Sequence, residues 1–146
     1  MKNDNFVIEE LITTAQKSHI THRHSACLIY KKEIISISEN EIMQKNNIMY
    51  GSIHAEINTI KNFLKVYKQK KLLKNFHLIV IRISKNNKLI NSKPCKYCIK
   101  KMKSFGIEKI SYSSDDNIIT EYIDEIQSSH VSGYIRHKKI KLYNIL

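Results

Sequence analysis

The 146 residues of the chain make 17.2 kDa, one domain's worth over 1–146, with a core that hides roughly two-thirds of the unfolded surface. One Pro and three Gly exclude collagen-like and linker-like sequence, and no apolar run approaches the ~20 residues of a membrane span. The formal charge of +12 raises the question of a polyanion, although only Arg23, Arg82 and Arg136 among the 25 basic residues are Arg. Arg's bidentate fork, which phosphate and base readers favour, is therefore scarce. Abundant Lys, Ile and Asn fit an AT-rich coding bias instead.

Phe6, Val7, Leu11, Ile12 and Ala15 recur at helical spacing and predict a helix over 4–18. Residues 25–30 and 33–38 flank Lys31-Lys32 and read as a β-hairpin. The polar stretch 40–52 reads as a loop. From Ile53, the stripe Ile57, Ile60, Leu64 and Tyr67 marks a second helix. Residues 76–83 are apolar except for His77 and Arg82, as in a strand covered on both faces. A loop runs on to Pro94. Ile99, Met102 and Phe105 mark a short helix that Gly106 stops, and 107–113 is a strand. The 76–113 unit is expected to be a right-handed parallel crossover. Beyond it two readings stand: an antiparallel strand over 118–123, or a helix through Ile119, Tyr122, Ile123 and Ile126 followed by a strand over 140–145.

The chemistry gathers on His54, Glu56, Cys95 and Cys98. Two thiolates in a C-x-x-C and an imidazole are ordinary zinc donors. Pro94 suits the first turn of a helix, so both thiols stand at a helix N-terminus, where the dipole favours negative sulfur. His54 also opens a helix, with Ser52 as a candidate cap. Three cysteines, two of them in this spacing, fit a metal or redox site in a reducing compartment better than a disulfide scaffold. Three protein ligands leave a fourth position free, as in catalytic zinc sites, where the pKa of bound water falls toward ~7. Glu56 is the carboxylate placed to move protons. Residues two apart in a helix diverge by about 200°, so His54 and Glu56 share a pocket only in an irregular first turn.

His54-Ala55-Glu56 followed by Pro94-Cys95-Lys96-Tyr97-Cys98 resembles the cytidine and deoxycytidylate deaminase superfamily over roughly 22–113. The resemblance implies an α/β fold with a central mixed sheet of about five strands flanked by helices. It implies Zn2+ on His54, Cys95 and Cys98, and Glu56 as the proton carrier that turns cytosine into uracil. It puts Asn40 on the substrate's sugar or phosphate, the Ala55 N–H on the base carbonyl, and the Ser92 carbonyl, ahead of the P-C-x-x-C, on the exocyclic amine. A free cytosine nucleoside or nucleotide is the expected substrate, deoxycytidylate first, because His-Ala-Glu-x-Asn with Asn58 is most similar to that branch. Lys93 stands where purine deaminases usually carry Glu. Ser38-Glu39-Asn40 replaces the family's usual Gly-x-Asn, and the Ser84–Lys93 approach is longer than in many members. The family also implies a homo-oligomer, and nucleotide metabolism in the cytoplasm suits a chain that opens without a signal peptide's apolar stretch.

Two other functions fit the residues. One is a deaminase of single-stranded nucleic acid or tRNA that uses the basic surface. The other is a non-catalytic zinc-stabilised domain whose fourth ligand comes from Cys27, His22, His24 or His77. Against the latter, Cys27 reads as a buried strand residue, and His22, His24, His130 and His137 as surface residues. Tyr97 reads equally as a base-stacking ring or a packed one, and Lys65–Lys74 as a solvated helix end.

Overall fold

Lys31 (φ 49°) and Lys32 (φ 67°) both lie in the left-handed region in the computed structural model of the protein, which describes residues 2–67 and 73–127. Two consecutive positive φ values make the primed two-residue turn whose twist matches paired strands. The turn joins β1 (Arg23–Tyr30) to β2 (Glu33–Glu39), and the hairpin read from the sequence is present. Asn46 (φ 53°) and Asn47 (φ 63°) repeat the device between β3 (Glu41–Lys45) and β4 (Ile48–Ile53). Residues 40–52 are thus a second hairpin and not a loop. Its strands form a separate two-stranded ribbon. Only Met43 and Ile53 are buried among its apolar residues with described side chains, so the two-residue period was too weak to read.

Helix α1 is Lys2–Ala15, α2 is Ala55–Tyr67 and α3 is Lys96–Ser104. The remaining strands are β5 (His77–Ile83), the two-residue β6 (Leu89–Ile90), β7 (Lys109–Ser114) and β8 (Asn117–Tyr122). The main sheet runs β2-β1-β5-β7-β8, with β6 on the end of β5. Among the described residues only β5 and β7 pair in parallel, and α3 lies between them in sequence; the other pairings are antiparallel. The result, among the described residues, is a mixed sheet of six strands flanked by three helices. Of the two readings for the segment after 113, the hairpin strand is the one observed. Residues 140–145 lie outside the described residues.

Strand β5 shows how the layers form. Leu78 and Val80 enter the core shared with α2 and α3, whereas Ile79, Ile81 and Ile83 enter the core under α1. Each face of this largely apolar strand thereby meets a helix layer, the reason that 76–83 lacks alternation. β1 does the same, with Ala26 and Leu28 toward α2 and Cys27 toward α1. α3 ends as the sequence suggests. Gly106 takes φ 85°, its N–H donates to the Lys103 carbonyl, and the Ile107 N–H donates to the Met102 carbonyl. That pair of bonds is a Schellman motif, and it turns the chain into β7.

Candidate functional site

His54 is the residue between β4 and α2. Its carbonyl accepts the Asn58 N–H at 2.9 Å, so His54 itself occupies the cap position expected of Ser52, which belongs to β4. Across the cleft, Cys95 caps α3 in extended conformation (φ −72°, ψ 163°), and its sulfur accepts the Cys98 N–H at 3.4 Å. Two helix starts thus aim at one point. His54 Nδ1 lies 3.2 Å from Cys98 Sγ and 3.7 Å from Cys95 Sγ, and the three donor atoms all lie within 4.8 Å of one another. A tetrahedral zinc with ordinary Zn–S and Zn–N bonds sets its donors about 3.5–3.8 Å apart. The donor set and its spacing fit that ion.

The electrostatics are those of a site that binds a cation. The hydrogen bond with Cys98 draws the Cys95 thiol down to about 4, against the opposing effect of burial. The same bond, with burial, holds the Cys98 thiol well above its ordinary value. The pair therefore keeps one proton in reserve, and a metal would displace it. Burial opposes charge on His54, but the Cys95 contact and the nearby Glu56 raise its pKa overall. Cys27 lies on the α1 face of the sheet, and burial pushes its thiol up to about 12. His77 is bonded to the Ser111 hydroxyl at 2.7 Å. No fourth His, Cys, Asp or Glu joins the three-donor group among the described residues.

Glu56 is in the first turn of α2, 4% exposed, and lines the same cleft as His54. His54 stands just outside α2 and Glu56 in its first turn, which meets the geometric condition set by their spacing of two. Desolvation raises the carboxyl's pKa above its usual range, with the His54 charge partly offsetting it. The cleft encloses about 630 Å³, within the range of small-molecule sites. Ala55, Asn40 and Ser92 also line it. Tyr97 is buried in the core beside α2 and does not line the cleft.

Asn40 is more than a lining residue. Its Oδ1 accepts from Ser18 Oγ (2.7 Å) and the His24 N–H (3.0 Å), and its Nδ2 donates to the His22 carbonyl (2.8 Å). The amide thereby pins the α1–β1 connection against the end of β2. Asn40→Ala takes the amide away from the His24 N–H and the His22 carbonyl, although Ser18 Oγ keeps the residue 40 carbonyl at 3.1 Å, and a stability loss of roughly 1–3 kcal/mol is expected in chemical denaturation. Unchanged stability would mean that the amide is not structural. Ser92 is equally fixed: its Oγ accepts the Ser113 N–H at 2.7 Å and donates to the Val80 carbonyl at 3.0 Å. These bonds set the orientation of its backbone at the cleft wall.

Beyond the residues expected there, Ile20, His24, Arg82 and Asn91 also line the cleft. Arg82 had a signal, since it breaks an otherwise apolar run. Lys93 is at the rim, Lys96 is not among the lining residues, and the 136–141 tail lies outside the described residues. His24 is half-buried, and desolvation lowers its pKa to about 4. His22 is exposed. His130 and His137 lie outside the described residues, as does most of the 65–74 lysine cluster.

A mixed sheet with helices on both faces, and a His-Cys-Cys centre with a buried Glu at two helix starts, defines a deaminase-type α/β domain. Residues 1–114 match the family described as the cytidine and deoxycytidylate deaminase zinc-binding region, and the chain belongs to that family. Strand β8 lies beyond the match. The structure is similar to cytidine deaminase from Burkholderia pseudomallei, with a TM-score of 0.62 and 12% identity over 87% of this chain and 98% of that one. It is also similar to the apo dCMP deaminase of cyanophage S-TIM5, with a TM-score of 0.50 and 16% identity over 73% and 82%. At such identities these likenesses establish the fold alone. No curated protein sequence matches the chain.

Proposed function

We propose that the protein hydrolyses the exocyclic amine of cytosine in a free nucleoside or nucleotide, with deoxycytidylate as the first substrate. The supporting observation is Glu56, a buried carboxylate that shares its cleft with His54 and Cys95, two of a group of three zinc-type donors that no fourth joins among the described residues. His54, Cys95 and Cys98 would hold the metal. Zinc bound there would supply Lewis acidity and lower the pKa of a water toward ~7.

Glu56 accepts the proton of the attacking water and passes it to the ring N3. The water oxygen bonds to C4, Glu56 then takes the remaining proton of the new C4 hydroxyl and delivers it to N4, and the C4–N4 bond breaks, leaving uracil and ammonia. Ala55 offers its N–H to the base carbonyl, and the Ser92 carbonyl accepts from the exocyclic amine. Asn40 offers the substrate's sugar whatever its structural bonds leave free. The single domain over 1–146, the cytoplasmic setting and a homo-oligomer belong to the same proposal, supported by the family.

The test is a substrate panel run on purified protein with its metal measured. About one zinc per chain and release of ammonia from a cytosine nucleoside or monophosphate are expected. Turnover confined to a single-stranded oligonucleotide or tRNA would overturn the free-substrate reading. Stoichiometric zinc without turnover of any of them would leave a binding domain.

A further inference from the structure

Arg82 is a cation at a strand position that the two-residue period assigns to the interior. Leu78 and Val80 precede it on the same face of β5, and both are fully buried in the α2 core. Register places Arg82 directly opposite His24 on β1, and His24 shares its face with Ala26 and Leu28. The two polar residues therefore extend an apolar face into the wall of the cleft, beside the three-donor centre. A guanidinium is costly there unless something uses it.

Its bonding is incomplete. Arg82 Nη2 contacts His22 Nδ1 at 2.5 Å, while the buried Nε has no hydrogen-bond partner among the described residues. Arg82 forms no ion pair among the described residues. Arg cannot lose its proton in a protein, so the guanidinium donates, His22 Nδ1 accepts, and the ring's N–H is on Nε2. Lys93 adds an ammonium at the rim. Against these groups the cleft lining holds, among the described residues, a single carboxylate, Glu56, which the proposed chemistry already uses.

We propose that Arg82, helped by His22 and Lys93, binds the phosphate of a nucleoside monophosphate, so that the substrate is a nucleotide and not a nucleoside. The inference rests on the deaminase reading of the cleft and names the substrate class within it. A phosphomonoester brings close to two negative charges and three free oxygens, enough for the guanidinium, the imidazole N–H and the ammonium together. A phosphodiester offers only two free oxygens.

The experiment is calorimetry on the zinc-loaded protein with dUMP and deoxyuridine, two ligands that deamination does not consume. Wild-type protein should bind dUMP about 10- to 100-fold more tightly, the range of a desolvated charge-assisted contact. Arg82→Gln should bring dUMP close to the affinity of deoxyuridine. Arg82→Lys, which keeps the charge but not the fork, should recover part of the difference. Because Arg82 lies in the sheet, each variant's melting curve is recorded. If Arg82→Gln does not fold, the exposed His22→Gln carries the test and should weaken dUMP several-fold. Equal affinities in the wild type, or a preference that survives Arg82→Gln, would overturn the subsite. Arg82-dependent binding of a single-stranded oligonucleotide without binding of dUMP would overturn the phosphomonoester. Turnover is read separately: a dUMP preference without ammonia from dCMP keeps the subsite and removes the deaminase reading.

Discussion

Glu56→Gln is expected to lower the kcat of cytosine deamination by about 10²–10⁴-fold, the range contributed by one positioned proton carrier. The substitution is nearly isosteric, so the cleft keeps its shape. It also leaves His54, Cys95 and Cys98 in place, and zinc content should stay at the wild-type level. Stability should move the other way. Burial raises the native pKa of Glu56 above its ordinary 4.5, so the folded state disfavours the charged form that the unfolded chain holds at neutral pH. A neutral amide removes that penalty, and the melting temperature at pH 7 should hold or rise. Near-native kcat in Glu56→Gln would eliminate the residue as proton carrier. A strong drop in melting temperature would mean that the carboxylate is structural.

The main sheet and its helices were legible because burial there is two-sided. The run at 76–83 could only be a covered strand, and the stripe Ile57, Ile60 and Leu64 could only be a helix packed on it. The site was legible for a different reason. Zinc donors have few chemical substitutes, and their placement at two helix starts follows from Pro94 and from the onset of the α2 stripe. Less could be seen where burial is slight. The β3–β4 ribbon exposes Ile48 and Met49 and depends on two Asn residues in left-handed conformation, which composition alone reads as a loop. The cleft wall was legible least of all. His24 meets Arg82 only through the antiparallel register of β1 on β5, at a sequence distance that no local pattern spans. Asn40 illustrates the same limit, since a residue expected at the substrate also ties Ser18, His22 and His24 together.

Cys98→Ala tests the metal centre with the other large effect. Cys98 is fully buried, its sulfur lies 3.2 Å from His54 Nδ1, and its N–H caps onto Cys95. The variant keeps that backbone bond but removes one of three donors. Loss of an outer-shell partner alone costs 10- to 100-fold in metal affinity as a rough range, and a direct ligand should cost more. Purified Cys98→Ala should therefore contain almost no zinc and show no measurable deamination. Chelation separates the metal's contribution from simple packing loss. A ligand that binds only the folded state adds about 4 kcal/mol at a thousand times its Kd, so wild-type protein should melt lower after exhaustive chelation. Cys98→Ala has no such increment to lose, and its melting temperature should be the same with and without chelator. The donors come from the starts of α2 and α3, so the increment measures how strongly the metal joins those helices. A wild-type protein that melts identically with and without chelator, and deaminates after it, would show that the His54-Cys95-Cys98 cluster is not a metal centre.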